Sequence, residues 1–185
     1  MASVMMAPLD LLEKYYPADS PVFAVLVSHS RAVAEMALRI ASRLGAEVDV
    51  AFVEQAALLH DIGIGATHAP KIGCFGALPY MCHGIEGRKL LDKEGLPRHA
   101  LVCERHIGVG LSAAEIRAQG LPLPERDMLP LSLEEQIVTY ADLFFSKTPG
   151  QEQEAKTVAR VRESLRRHGA NKVAIFDAWL ERFGL

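Results

Sequence analysis

The chain has 185 residues, the length of one ordinary domain and enough to bury an apolar core. Half of the residues are hydrophobic (50%) and the mean hydropathy is +0.12, a composition that excludes a disordered polypeptide. Lys and Arg number 20 against 23 Asp and Glu, so the net charge is -3, which argues against a general binder of nucleic acid polymers.

The cysteines and the N-terminal residues indicate a cellular compartment. Cys74, Cys82 and Cys103 are odd in number and include no Cys-x-x-Cys pair, which is typical of reduced thiols in the cytosol. The first ten residues lack a basic stretch followed by a long apolar run, so we expect no signal peptide. The apolar run at residues 22–27 is too short to cross a bilayer. We therefore expect a cytoplasmic protein without a membrane partner.

The first half of the chain predicts two helices and then a long loop. Ser20-Pro21 is typical of an N-cap followed by proline at the first helical position, and apolar residues at helical spacing continue to Gly45. Asp49 is expected to cap a second helix at residues 50–61. Residues 63–82 are rich in glycine and proline, and irregular segments of this length often form the wall of a site.

The second half predicts six more helices. They cover residues 83–94, 97–106, 112–119, 132–147, 152–168 and 171–183. Ser132 to Glu135 fits a capping box. No alternating strand pattern of useful length is present. The prediction is an all-α protein, with residues 1–185 forming a single helical bundle. Its functional motifs lie at about 25–148, and the helices of residues 152–183 pack on them.

The most informative motif is His60-Asp61-Ile62-Gly63, which directly follows the apolar run of residues 56–59. An unpaired buried charge is costly, so the carboxylate is expected to have a bound partner. Further candidate ligands occur on other predicted helices: His29, His83, His106 and Asp142. Imidazole and carboxylate together favour Fe, Mn, Zn, Co or Ni over Ca or Mg. Six such side chains suffice for one or two divalent transition metals, with a bridging carboxylate if there are two.

The order of these motifs resembles the HD superfamily of metal-dependent phosphohydrolases. The matching segments are residues 29–34, residues 58–63, which carry the His-Asp-Ile-Gly of the HDIG subgroup, and Tyr140-Ala141-Asp142. The resemblance spans residues 25–148. Residues 83–87 and 104–108 are similar to a small uncharacterised HDIG family found in archaea and bacteria.

This resemblance implies an all-α HD domain in which His29, His60, Asp61 and Asp142 bind one metal. His83 and His106 would complete a second site that shares Asp61. It also implies that a metal-activated water hydrolyses a small phosphorylated substrate, a nucleotide with a phosphomonoester or phosphoanhydride bond, with Asp61 and His60 as catalytic residues.

Two departures bear on the substrate. Ile64-Gly65 stand where HD-GYP phosphodiesterases carry a lysine, and no Gly-Tyr-Pro tripeptide is present, which argues against cyclic di-GMP.

Four cations are candidate phosphate contacts. Arg31 and Arg105 lie close to candidate ligands, and guanidinium groups suit phosphate oxygens. A solvated helix face or an ion pair is the alternative for each arginine. Lys71 and Lys147 are weaker candidates.

Several alternatives stay open. Cys82, His83, Cys103 and His106 could form a structural Cys2His2 zinc site, although their spacing is unusual. The domain could be a catalytically weak module that binds a nucleotide or a partner and signals its presence. It could also be a di-iron oxygenase on the same scaffold. Trp179, Phe176 and Phe183 are expected in the core or in a homodimer seam, and His68, His99 and His168 at the surface.

Overall fold

The computed structural model describes residues 6–185. The first five residues belong to the segment in which no signal peptide is expected, and they lie outside the described residues. Nine α-helices occur among the described residues. They are α1 (Pro8–Tyr15), α2 (Pro21–Leu44), α3 (Val50–Leu59), α4 (His83–Lys93), α5 (Pro97–Arg105), α6 (Ala113–Gln119), α7 (Leu133–Asp142), α8 (Val158–Arg166) and α9 (Ala170–Phe183). The prediction of an all-α fold is confirmed.

The long loop contains structure that was not predicted. Two antiparallel strands, β1 (His68–Ala69) and β2 (Cys74–Phe75), pair with His68 opposite Phe75. Short 3-10 turns flank them. Strands of two residues are too short for an alternating pattern to show in the sequence.

The longest helix is α2, which begins and ends as predicted. The Ser20 hydroxyl accepts a hydrogen bond from the Phe23 N–H at 3.3 Å, and Gly45 follows the last turn with φ of 66°. Residues 21–47 have the length and hydropathy of a membrane-spanning helix, and half of that apolar window is buried inside the fold. A central core helix has the same properties, and α2 packs along both α3 and α7.

The larger apolar core lies between these three helices and the C-terminal pair. Phe176 is fully buried, and its ring stacks on Tyr140 of α7 with centroids 5.6 Å apart. Trp179 and Phe183 are also buried in this core. The predicted choice between core and dimer seam is therefore resolved in favour of the core for these aromatic residues.

A second core lies under the N-terminal helix and holds the segment after α3. Leu11 and Leu12 of α1 pack with Ile62 and Ile64 in this cluster. Helix α1 is not predicted from the sequence. This helix is short, and its N-cap, Ala7, makes no side-chain hydrogen bond, so the usual start signal is missing.

Most predicted helix ends lie within two residues of the structure, but two helices differ by several residues at one end. Helix α7 ends at Asp142 and not at residue 147. Lys156 Nζ donates to the carbonyls of Leu143 and Phe145 at 3.2 and 2.6 Å, in the segment that follows the helix. Helix α8 begins at Val158 and not at residue 152, with Thr157 as its cap.

The capping box predicted at Ser132 forms only in part. The Ser132 hydroxyl accepts from the Glu135 N–H at 3.1 Å, but the Glu135 carboxylate accepts from the Leu131 N–H at 2.7 Å instead of that of Ser132.

Candidate metal centre

The His60-Asp61 pair lies in a buried turn that directly follows α3. Both side chains are 0–1% exposed, although both are polar. A Cβ atom at Gly63 would lie 2.1 Å from the Gly87 nitrogen and 2.2 Å from the His83 carbonyl oxygen. Only glycine allows the turn to approach α4 this closely, so the motif's last residue brings Asp61 next to the helix that begins at His83.

A second close contact joins α4 to α5. A Cβ atom at Gly84 would lie 2.5 Å from the carbonyl oxygen of Cys103. The two helices therefore pack backbone against backbone at this point. His83 begins α4 and His106 immediately follows α5, so this packing brings the two imidazoles together.

The first group of ligands comes from α2, the turn after α3 and the end of α7. It comprises His29, His60, Asp61 and Asp142, whose ligand atoms all lie within 4.8 Å of one another. His29 Nε2 is 3.3 Å from Asp61 Oδ2 and 3.0 Å from Asp142 Oδ1. His60 Nε2 is 3.0 Å from Asp61 Oδ2 and 3.4 Å from Asp142 Oδ1.

The second group comprises Asp61, His83 and His106. His83 Nε2 is 3.3 Å and His106 Nε2 is 3.5 Å from Asp61 Oδ1. Asp61 therefore faces the first group with one oxygen and the second group with the other. The structure brings all six predicted ligands together, in two groups that share one carboxylate.

Backbone carbonyls set the orientation of three of the four imidazoles. The Nδ1 atoms of His60, His83 and His106 lie 2.7, 2.7 and 2.8 Å from the carbonyl oxygens of Ala57, Tyr80 and Cys103, respectively. A nitrogen that donates to a carbonyl carries the proton, so the Nε2 atom of the neutral ring presents a lone pair to the centre. His29 differs, because its buried Nδ1 has no partner among residues 6–185.

The centre therefore contains more hydrogen-bond acceptors than hydrogen-bond donors. His83 Nε2 and His106 Nε2 are only 3.0 Å apart, and His29 Nε2 and His60 Nε2 are 3.3 Å apart. Both buried oxygens of Asp61 also lack a hydrogen bond of good geometry within the described chain. Lone pairs that face one another at these distances need a cation between them. These imidazole nitrogens and carboxylate oxygens suit divalent metal ions that accept both nitrogen and oxygen ligands.

In the absence of metal, the pKa shifts of the histidines show which of them the carboxylates of the centre keep protonated. Burial lowers the pKa of His60, but the Asp61 and Asp142 carboxylates outweigh it and raise that pKa to about 10. Burial also dominates at His83 and lowers its pKa to about 3, so this ring is neutral and able to ligate at neutral pH.

Lys147 supplies a further positive charge. Its Nζ lies 2.7 Å from Asp61 Oδ2, and its side chain is 12% exposed. Burial disfavours the ammonium, but Asp61 and Asp142 raise the Lys147 pKa above its usual value. From the sequence Lys147 is one of the weaker candidates for a phosphate contact, whereas the structure places it against Asp61. Residues 143–146 contain no glycine or proline, so the sequence carries no signal for the turn between Asp142 and Lys147.

The two arginines predicted to contact phosphate lie elsewhere. Arg105 donates to both carboxylate oxygens of Glu135 at 3.0 Å, which matches the ion-pair alternative. Arg31 is exposed and lines a depression with Glu35 and Arg39. Among the described residues neither arginine has a hydrogen bond or ion pair to the six ligands, and their contact with phosphate stays a prediction.

The alternative zinc site with sulfur ligands is wrong. The Cys103 thiol donates to the Leu59 carbonyl at 3.3 Å, and the Cys82 thiol donates to the Pro122 carbonyl at 3.4 Å. Neither ligand group found in residues 6–185 includes a cysteine. Burial raises the pKa of both thiols, which keeps them protonated and inert.

Comparison with known proteins identifies relatives of the chain. An uncharacterized protein of Methanocaldococcus jannaschii is 40% identical over 121 residues, which are 63% of this chain and 64% of that protein. Two proteins named tRNA (cytidine(56)-2'-O)-methyltransferase, from Thermoplasma volcanium and Picrophilus torridus, are 35% and 33% identical. Those matches cover 75% and 71% of this chain but only 35% and 37% of the two proteins. The chain therefore matches less than two thirds of the length of each of these relatives.

A solved structure shares the fold. The HD domain of the L. monocytogenes phosphodiesterase PgpH superposes with a TM-score of 0.52 over 91% of this chain and 92% of that one, at 16% identity. The family model described as HD domain matches residues 26–145, about two thirds of the chain, and these residues include all six ligands. The chain belongs to the HD domain family.

Proposed function

We propose that this protein hydrolyses a phosphate ester or anhydride bond of a small nucleotide with one or two divalent transition metals. The observation that carries the proposal is the position of Asp61, whose two oxygens face two separate groups of ligands. A carboxylate shared in this way is typical of sites in which two metals stabilise the attacking and leaving oxygens.

The four histidines and two aspartates would hold the ions through the atoms that already converge. Bound there, divalent ions would supply Lewis acidity toward a phosphoryl group and activate water. The first group offers four ligand residues and the second three, so the second group leaves more room for substrate oxygens. Lys147, beside Asp61, supplies a cation for the charge that develops on the phosphoryl oxygens.

The relatives add limited support for the choice of substrate. Two of them are named for methylation of tRNA, but about two thirds of each lies outside the match, so we do not extend methyl transfer to this chain. The nucleotide assignment rests on the resemblance to HD phosphohydrolases and on the cation at the centre. The complete ligand set favours an enzyme over a binding module, because a module that only senses a nucleotide has no need of six ligands.

The test measures metal content and then turnover. Protein purified without oxygen and without an affinity tag is expected to contain close to two transition metals per chain, and to hydrolyse members of a nucleotide panel with Mn²⁺ or Fe²⁺. Asp61→Asn should lose both properties. His168→Ala is the matched control, because His168 is exposed and lies in neither ligand group.

Other results would replace the proposal. Nucleotide binding without turnover in every metal would make the protein a sensor. Dioxygen consumption by the iron-loaded form, without hydrolysis, would make it an oxygenase.

A further inference from the structure

A pocket of about 400 Å³ lies beside the metal centre, between the long loop and the segment that follows α7. Lys71, Ile72 and Tyr80 line it from the loop, and Lys147 and Pro149 line it from the other side. Its volume is at the lower end of the range for sites that bind small molecules, about 300–1,000 Å³.

Two of the lining residues contact the metal ligands directly. Lys147 Nζ lies 2.7 Å from Asp61 Oδ2. The ring of Tyr80 lies 4.9 Å from that of His83, centroid to centroid, and the Tyr80 carbonyl oxygen is 2.7 Å from His83 Nδ1. The pocket is therefore separated from the ligand groups by the side chains of Lys147 and Tyr80 alone where these two residues contact Asp61 and His83.

The charge and chemistry of the lining select an occupant. Two lysines and no acidic residue line the pocket within the described chain, so it attracts an anion. Ile72 and Pro149 supply apolar surface, and Tyr80, 42% exposed, offers an aromatic ring to stack on.

A second pocket near the same turn has the opposite character. It measures about 430 Å³ and borders Gly63 and Gly65, but it is lined by Glu86 and, among the described residues, by no lysine or arginine. That lining offers no cationic side chain to a phosphate group. The charge of the two linings distinguishes the pockets where their size does not.

We propose that the pocket between the long loop and residues 147–149 binds a nucleoside monophosphate, with its phosphate on Lys147 and its base on Tyr80. The inference rests on the proposed function for the fate of the phosphate, but binding itself does not require hydrolysis. Tyr80 is then a specificity-determining residue, and Lys71 attracts the anion to the pocket entrance.

The experiment measures binding of adenosine monophosphate and of inorganic phosphate to the metal-loaded protein by calorimetry. Tyr80→Leu is expected to weaken adenosine monophosphate about ten-fold, the effect of one lost stacking contact, and to leave inorganic phosphate unchanged. Tyr80→Phe should restore the affinity. Both variants keep the backbone carbonyl that orients His83, so metal content should stay that of the wild type.

Two further variants sharpen the result. Lys71→Met should weaken both ligands by a few-fold at low salt, and the difference should shrink as salt is added. Phe75→Leu is the matched control, because Phe75 is 76% exposed in the same loop and does not line this pocket. It should bind both ligands as the wild type does.

The outcomes separate this inference from the proposed function. If Tyr80→Leu leaves the affinity for adenosine monophosphate unchanged, or weakens inorganic phosphate equally, the pocket assignment is wrong even if hydrolysis is observed. If the nucleotide binds in a manner that depends on Tyr80 but no metal supports turnover, the pocket assignment stands and the proposed hydrolysis fails.

Discussion

Lys147 Nζ lies 2.7 Å from Asp61 Oδ2, the same oxygen that lies 3.3 Å from His29 Nε2 and 3.0 Å from His60 Nε2. The ammonium therefore shares a carboxylate oxygen with the first ligand group. An internal cation at this position stabilises the protein before metal is bound, and it opposes the entry of a second positive charge. The same residue is thus expected to influence metal affinity and catalysis in opposite directions.

Replacing this lysine should separate the two effects. Lys147→Met is expected to raise the affinity for Mn²⁺ by about ten-fold or more, because a repulsion at close range is removed. Hydrolysis should fall, because the charge on the phosphoryl oxygens loses a partner. Calorimetric titration with metal and steady-state kinetics check the two parts. Lys89→Met is the control, since Lys89 is exposed and pairs with Glu86 at 2.6 Å; lower metal affinity in Lys147→Met would contradict the expectation.

Because the two ligand groups share the Asp61 carboxylate, substitutions at different ligands are expected to remove different numbers of metal ions. Asp61→Ala should remove both ions, because each ligand group contains Asp61, whereas His83→Ala should remove only one. Elemental analysis of protein purified without oxygen gives the number per chain. Unchanged metal content and hydrolysis in His83→Ala would show that His83 is not a metal ligand and that the two-metal assignment is wrong.

Tyr16 connects the N-terminal helix to the turn that carries Asp61. Its buried hydroxyl donates to the Ile62 carbonyl and accepts from the Gly65 N–H at 2.9 Å. Tyr16→Phe leaves both backbone groups without this partner and should lower the free energy of unfolding by about 1–3 kcal/mol.

Tyr15→Phe is the matched control for this change. Tyr15 bonds Glu94 near the surface, so its loss should cost less than about 1 kcal/mol. Denaturant unfolding of the two variants measures the difference. Equal effects would mean that the turn does not depend on the Tyr16 hydroxyl.

His99 predicts a dependence of stability on pH. The sequence analysis expected it at the surface, but it is only 7% exposed, and its ring packs edge-on against Phe52 at 4.8 Å. Burial, with the nearby charge of Arg98, lowers its pKa from 6.5 to about 4.

The direction of this pH dependence follows from proton binding by His99 in the folded and unfolded chain. Between pH 6.5 and 4 the unfolded chain binds the His99 proton and the folded chain does not. The contribution of neutral His99 to the free energy of unfolding is therefore complete above pH 6.5 and is lost as the pH falls to 4. Over that interval the wild type should lose about 3 kcal/mol more than His99→Gln. Unfolding free energies at several pH values test this, with exposed His168→Gln expected to follow the wild type. Parallel pH profiles for wild type and His99→Gln would contradict it.

The sequence predicted what depends on local signals. Helix α2 has both a cap and a stop, and its prediction agrees with the structure. The early end of α7 was not predictable in the same way, because no glycine or proline directly follows Asp142 and the next break signal is Pro149-Gly150.

The six candidate ligands were recognisable because residue type and order alone mark them. What the pattern could not supply was their division into two groups and the opposite directions of the two Asp61 oxygens. Those features depend on the close packing at Gly63 and Gly84, where helix backbones meet. Whether the residues bind metal stays a prediction.

The orientation of His60, His83 and His106 has a consequence for how the protein tolerates mutation. Each ring nitrogen away from the centre lies against the carbonyl of the residue three positions before it. A carbonyl is present whatever side chain that residue carries, so a substitution at Ala57, Tyr80 or Cys103 does not delete the acceptor. The backbone itself therefore supports three of the six ligands, and the side chains at positions 57, 80 and 103 can change without removing the groups that orient the imidazoles.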